Sequence, residues 1–104
     1  MTNLIKFFIS FLIACNVVNA TDIIIDQKNK TFLPGSVNAK VGDRLIFKNS
    51  DGFAHNAYSD NEKNEFDIGM QRPNQDVIVE LQAPASLDIE CAIHPNMLLK
   101  VKVK

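Results

Sequence analysis

After residue 20 the chain consists of short apolar or alternating runs, and turn residues separate one run from the next. In residues 76–81, for example, Val77, Val79 and Leu81 recur at every second position, which is the period of a half-buried β-strand. Comparable runs predict further strands along the rest of the chain. They lie at residues 22–26, 36–40, 44–48, 53–58, 65–68, 87–91 and 99–104.

Other features of the pattern favour the same fold class. No helical period extends over three turns after residue 20, and the four prolines all lie between the predicted strands. The chain also has no internal repeat, low-complexity segment or linker. Seven to nine short strands at this spacing indicate one all-β domain, a β-sandwich.

The first twenty residues have the pattern of a cleavable secretory signal. Lys6 precedes an apolar stretch at 7–18, and residues 18–20, ending at Ala20, form a small-residue cleavage site before Thr21. We therefore predict a signal peptide at 1–20 and one exported, periplasmic domain at 21–104. The apolar stretch is too short and too interrupted to predict a membrane-spanning helix.

Two other interpretations of this segment stay open. Residues 12–15 resemble a bacterial lipobox, in which Cys15 would be acylated and become the new N-terminus, so that a lipid anchor would hold the domain at a membrane. The segment would otherwise be a buried N-terminal helix. Under both processing interpretations the folded domain lies outside the cytoplasm.

The charge of the domain excludes some partners. Residues 21–104 carry ten basic and twelve acidic side chains, without a basic patch, so we expect no nucleic-acid binding. A domain of 84 residues has only a modest core, and a bound metal often stabilises proteins of this size.

The side chains that bind soft metals are few and lie close together in the sequence. Residues 91–97 contain Cys91, His94 and Met97, and the one other histidine of the chain is His55. A thiolate, two imidazoles and a weak thioether form the set that holds copper in a trigonal site with an axial Met. We therefore predict that these four residues bind one copper ion.

Each of these residues also has a plainer interpretation. Cys91 alone would be a reactive thiol or a buried inert residue, His55 a hydrogen-bonded structural histidine, and Met97 part of the core. Zinc is the competing metal, but a structural zinc site usually has four strong ligands and Met is a poor fourth. Copper fits the softness and geometry of the set better.

From about residue 31 to the end the chain resembles the cupredoxins, the small blue copper proteins. Its loop spacing is most similar to that of amicyanin and plastocyanin-like proteins. The matching segments are 32–34, 40–49, 51–56, 66–69 and 91–97. The resemblance implies an eight-stranded Greek-key sandwich with the metal at one end. It also implies that electrons pass at the exposed edge of His94, inside a ring of apolar residues formed by Ala54, Ile93, Pro95 and Met70.

The resemblance makes two further predictions about the surroundings of the metal. The backbone N–H of Asn56 is expected to donate to the sulfur of Cys91. Many cupredoxins carry a Ser or Thr directly after this Cys, which hydrogen-bonds the Asn side chain. Here that position is Ala92, so we expect the side-chain link to be missing.

The function that follows is transport of single electrons between protein redox partners by a monomeric copper protein. The alternative is a copper-binding module for storage, delivery or resistance. An enzyme is not expected, because a multicopper oxidase or copper nitrite reductase needs further His ligands and the chain has two histidines.

Overall fold

The computed structural model describes residues 20–104, and these residues form nine strands and no helix. The predicted signal segment lies outside the described residues up to position 19. The strands are β1 (Asp22–Lys28), β2 (Thr31–Leu33), β3 (Ser36–Ala39), β4 (Arg44–Asn49), β5 (Tyr58–Ser59), β6 (Phe66–Asp67), β7 (Val77–Glu80), β8 (Ala85–Glu90) and β9 (Leu98–Val103). The described residues contain no helix long and apolar enough to cross a membrane.

The strands form two sheets with both parallel and antiparallel neighbours. The first sheet has the order β2-β1-β4-β7, and the second has the order β3-β9-β8-β5-β6. β1 runs parallel to β4, and β3 runs parallel to β9, while the other pairs are antiparallel. The predicted all-β sandwich is confirmed.

The alternation in the sequence becomes the alternation of buried and exposed side chains. In β9 the side chains of Leu99, Val101 and Val103 are buried, and those of the intervening lysines face solvent. The core also contains Phe32 and Phe47, whose rings meet edge to face with centroids 6.2 Å apart. Burying an apolar side chain of this size stabilises the fold by about 1.5–3 kcal/mol.

The largest overestimate among the strand predictions concerns residues 53–58. Residues 53–58 were expected to form a strand, but only Tyr58 belongs to one, and His55 makes an isolated bridge with Gln71. The side-chain amide of Asn49 explains part of the difference, because it donates to the carbonyl of Phe53 at 2.9 Å. A carbonyl engaged by a side chain is less available to a strand ladder.

The topology decides where the loops lie. Because β1 and β4 run in the same direction, the residues that precede them meet at one end of the sandwich and the residues that follow them meet at the other. We call these the Asp43 end and the Asp51 end. The loop of residues 91–97, between β8 and β9, lies at the Asp51 end, where its Cys91 contacts Asn56.

Candidate metal centre

Three of the four predicted ligands meet at the Asp51 end of the sandwich. The ligand atoms of His55, Cys91 and His94 all lie within 4.8 Å of one another. The Cys91 sulfur is 3.8 Å from Nδ1 of His94, and the two imidazole centroids are 4.9 Å apart. His55 and Cys91 are buried, and His94 is partly exposed. One metal ion can be bound by all three groups.

Cys91 directly follows β8 and continues its buried face. Its side chain is 1% exposed and lies in the apolar cluster with Ile89. The sulfur accepts the backbone N–H of Asn56 at 3.4 Å, which confirms the predicted hydrogen bond. A donor to the sulfur lowers the charge density of a thiolate, so this contact adjusts its properties as a ligand.

His55 is held on two sides. Its backbone exchanges hydrogen bonds with that of Gln71, at 2.9 and 2.7 Å, and its Nε2–H donates to Oδ2 of Asp51 at 2.7 Å. The other ring nitrogen, Nδ1, is buried and has no hydrogen-bond partner within residues 20–104. Buried polar atoms almost always have a partner, and the Nδ1 lone pair belongs to the cluster that a metal would complete. The donor set and this unpaired atom therefore fit a bound metal ion.

The role of Asp51 was not predicted from the sequence. Besides His55, its carboxylate accepts the backbone N–H groups of Asn29 and Lys30 at 2.7 and 3.0 Å. Both residues have positive φ angles, of 54° and 56°, as a tight turn between β1 and β2 requires. Burial raises the pKa of Asp51, but these hydrogen bonds and His55 outweigh it, and the pKa lies below its ordinary value. An ionised Asp51 thus joins the first hairpin to His55.

The loop of residues 91–97 is held by an amide side chain. Oδ1 of Asn56 accepts the backbone N–H of Ala92 at 3.2 Å, and Nδ2 donates to Asp67 and Gly69 at 2.7 and 3.1 Å. A hydroxyl is missing at position 92, as expected, but the backbone of the same residue makes the link instead. Sequence reasoning overlooked this possibility because it considered side chains only.

Met97, the fourth predicted ligand, lies in the same buried cluster as Cys91. Its side chain is 1% exposed, and its backbone N–H donates to the carbonyl of His94 at 3.0 Å. This hydrogen bond closes the turn between His94 and β9. The turn therefore leads the chain from His94 back to the buried cluster at Met97.

Phe53 is another neighbour of the site that the sequence did not reveal. Its ring centroid lies 5.3 Å from that of His55 and 5.4 Å from that of His94, and the ammonium group of Lys30 lies 5.7 Å from the ring. The pKa of His94 is lowered, mainly by burial and then by the charges of His55 and Lys30, against an opposing effect of Asp51. Lowering this pKa favours the neutral imidazole, which is the form that binds metals.

The surface beside His94 combines apolar and polar side chains. Ile93 and Met70, predicted to surround His94, are 49% and 68% exposed, Pro95 is exposed, and Ala54 is half-buried. A surface cavity of about 280 Å³ next to His94 is lined by Lys30, Ile93, His94, Pro95 and Asn96. His94 is thus the one group of the three through which the site reaches the surface.

Comparison with known proteins supports the fold. No family model and no curated protein matches the sequence. Among solved structures, a reduced tryptophan-to-tyrosine mutant of amicyanin matches with a TM-score of 0.72 at 23% identity, over 85% of this chain and 86% of its own. The reduced Cu(I) form at pH 4 of a proline-to-glycine mutant of amicyanin gives 0.71 at 23% identity, over 86% of each chain.

A larger protein contains the same fold as one part. The Cu-containing nitrite reductase from Thermus scotoductus SA-01 matches with a TM-score of 0.74 at 17% identity, over 90% of this chain and 25% of that chain. Together these likenesses show that the chain has the cupredoxin fold. The two amicyanin structures are matched over most of their own length as well as most of this chain.

Proposed function

We propose that this chain is a type 1 copper protein that carries single electrons between protein redox partners. Its ligands are the imidazoles of His55 and His94, the thiolate of Cys91 and, as a weak axial ligand, the thioether of Met97. The decisive observation is the meeting of two imidazoles and one thiolate within 4.8 Å, with Nδ1 of His55 buried and unpaired. The amicyanin structures, two of which are described as Cu(I) forms, support copper as the metal.

The surroundings of the donors suit a metal that changes its charge. Copper bound by such a set supplies a one-electron Cu(I)/Cu(II) couple. The protein contributes fixed donors, since Asp51 and the Gln71 bridge hold His55 and the Asn56 N–H holds Cys91. Donors that are already in place need little rearrangement when the charge changes, which favours fast electron transfer.

The exposed edge of His94 is the proposed point of contact with redox partners. Ile93 and Pro95 offer apolar area on this surface, and His94 connects it to the buried thiolate. We propose a periplasmic location, because residues 1–20 fit a secretory signal. No catalytic residue is assigned, since both histidines of the chain are used as ligands.

Absorption and EPR spectra of the copper-loaded chain test this function. We expect an intense thiolate-to-Cu(II) charge-transfer band in the visible range and a reversible redox couple by voltammetry. Cys91→Ser abolishes the band. Cu(II)-loaded protein without this band would refute the proposal, and tight Cu(I) binding without a reversible couple would support the storage or delivery alternative instead.

The axial ligand is tested by a matched pair of substitutions. Met97→Leu is expected to keep the band but shift the reduction potential, because it removes the thioether from a buried position while keeping the volume. Met70→Leu changes a Met that is 68% exposed and is expected to leave the potential unchanged. Equal potentials for Met97→Leu and the wild type would exclude Met97 as a ligand.

A further inference from the structure

A buried carboxylate lies at the end of the sandwich opposite to the metal centre. Asp43 is 2% exposed, and its two oxygens accept the backbone N–H groups of Thr21 and Lys40, each at 2.8 Å. Within residues 20–104, the one cation recorded in an ion pair with it is the Lys40 ammonium at 3.7 Å, on a side chain that is 57% exposed. The buried charge thus has two neutral donors and one loosely held cation.

Such an arrangement is costly unless the charge is compensated. Burial raises the pKa of Asp43, but the hydrogen bonds from Lys40 and Thr21 and the charge of Lys40 outweigh it, so the pKa lies below its ordinary value. The group is therefore ionised at neutral pH. A buried anion is stabilised best by a cation that also donates a hydrogen bond.

Thr21 is placed where it can supply that cation. Its carbonyl accepts the N–H of Arg44 at 2.9 Å, which fixes the Thr21 backbone at the start of the β1–β4 pair and directs its nitrogen to Asp43. Ala20 and Thr21 are exposed, and Thr21 borders a cavity of about 400 Å³. The charged residues that line the cavity are Lys40, Asp43 and Lys104. Because Thr21 is exposed and borders this cavity, there is room for further protons on its nitrogen.

We propose, on the basis of the predicted signal segment at 1–20 and the exported location proposed above, that removal of this segment turns the contact into an ion pair, so that the new N-terminus of the chain is bound by Asp43. An endopeptidase would hydrolyse the Ala20–Thr21 bond. The hydroxyl of water goes to the carbonyl carbon of Ala20, and the nitrogen of Thr21 becomes an α-ammonium group after taking up protons. Its N–H bond to Asp43 is kept and becomes charged on both sides. Cleavage of the signal segment therefore stabilises the folded domain, and the mature chain is expected to begin at Thr21.

The first test is the identity of the mature N-terminus. We expect the intact mass and N-terminal sequence of the exported protein to correspond to a chain that begins at Thr21. An acyl group on Cys15 would overturn the proposal, because Thr21 would then keep an ordinary amide nitrogen.

The second test measures the ion pair. Urea unfolding of the exported protein is compared with that of a chain that retains Ala20, in which the Thr21 nitrogen is an amide. We expect the unfolding equilibrium constant to be about 3–10 times larger for the longer chain. This difference should vanish in Asp43→Asn. It should persist in the control Asp88→Asn, which removes an exposed carboxylate paired with Lys100.

A measurement on the unchanged sequence covers the case in which Asp43→Asn does not fold. The α-amine of Thr21 is expected to react with an acylating reagent several times more slowly in the folded protein than in urea. Equal stability of the two chain lengths, a difference that survives Asp43→Asn, or equal acylation rates would each contradict the proposal. None of these outcomes depends on copper.

Discussion

The two ends of the sandwich each contain one carboxylate that is largely shielded from solvent, and the two carboxylates flank the same strand. Asp43 is buried, and the side chain of Asp51 is 9% exposed. Asp43 directly precedes β4, and Asp51 lies two residues after it. Each accepts two backbone N–H groups, and each has its pKa lowered although burial acts to raise it. The difference lies in the third partner, which is the imidazole of His55 for Asp51 and the exposed ammonium of Lys40 for Asp43.

The comparison shows that a carboxylate bound by backbone N–H groups can stabilise the fold alone or can also position a metal ligand. At the Asp43 end the carboxylate only holds the chain together, so its loss should affect stability alone. At the Asp51 end it also fixes the orientation of a proposed ligand, so its loss should affect both stability and the metal. The two effects can be separated experimentally because, within residues 20–104, Asp43 and Asp51 share no hydrogen-bond partner.

The largest effect is expected for Asp51→Ala. The substitution leaves His55 Nε2 and the N–H groups of Asn29 and Lys30 without their partner. We expect the free energy of unfolding of the apoprotein to fall by about 2–4 kcal/mol and copper affinity to fall by about 10–100-fold. Denaturant unfolding and competition titration measure the two quantities. Unchanged copper affinity in a folded variant would mean that Asp51 does not position His55.

Asp43→Asn should have the second largest effect on the free energy of unfolding and should leave copper binding unchanged. We expect a loss of about 1–3 kcal/mol at neutral pH, with copper affinity within about twofold of the wild type. Because the pKa of Asp43 is lowered by folding, its contribution exists above the unfolded-state pKa of about 4 and is lost as the pH falls through the folded-state value. The gap between wild type and variant should therefore shrink on acidification, and a gap that widens would contradict the sign.

Asn56→Ala should have a smaller effect, confined to the Asp51 end. It removes the hydrogen bonds from the Asn56 side chain to Ala92, Asp67 and Gly69 but keeps the backbone N–H that donates to Cys91. We expect about 1–2 kcal/mol of lost stability and a weaker loss of copper affinity than in Asp51→Ala. The charge-transfer band should remain. Loss of the band would show that the side chain, and not the backbone, controls the thiolate.

The smallest effect on stability is expected for Lys48→Gln, a substitution in β4 between the two ends. Lys48 is paired with Asp76 at 2.8 Å, and both side chains are about half exposed (42% and 50%). An exposed pair of this kind contributes less than about 1 kcal/mol. Thermal unfolding should therefore be almost unchanged, and copper binding unaffected. A large loss would mean that charge on β4 itself couples the two ends.

The sequence predicted the features that depend on neighbouring positions: strands with alternating side chains, and ligands that lie close together along the chain. Alternation located β9 and most of β4, and Cys91, His94 and Met97 lie within seven residues. The three-residue strand β2 is too short to show a period. Asp51 and Phe53 were missed because their partners are remote: Asn29 lies 22 positions before Asp51, and His94 meets Phe53 only through the fold.

The separation of the proposed ligands along the chain has a mechanical consequence. His55 lies on the segment before β5, whereas Cys91 and His94 follow β8, 36 and 39 positions later. An ion held by all three would cross-link these segments and close a loop of roughly 40 residues, which lowers the entropy of the unfolded chain in the way that a disulfide does. The described residues contain no disulfide, so the bound ion would be their one covalent-like cross-link. Because ion binding is reversible, a chelator would remove this cross-link and lower the free energy of unfolding.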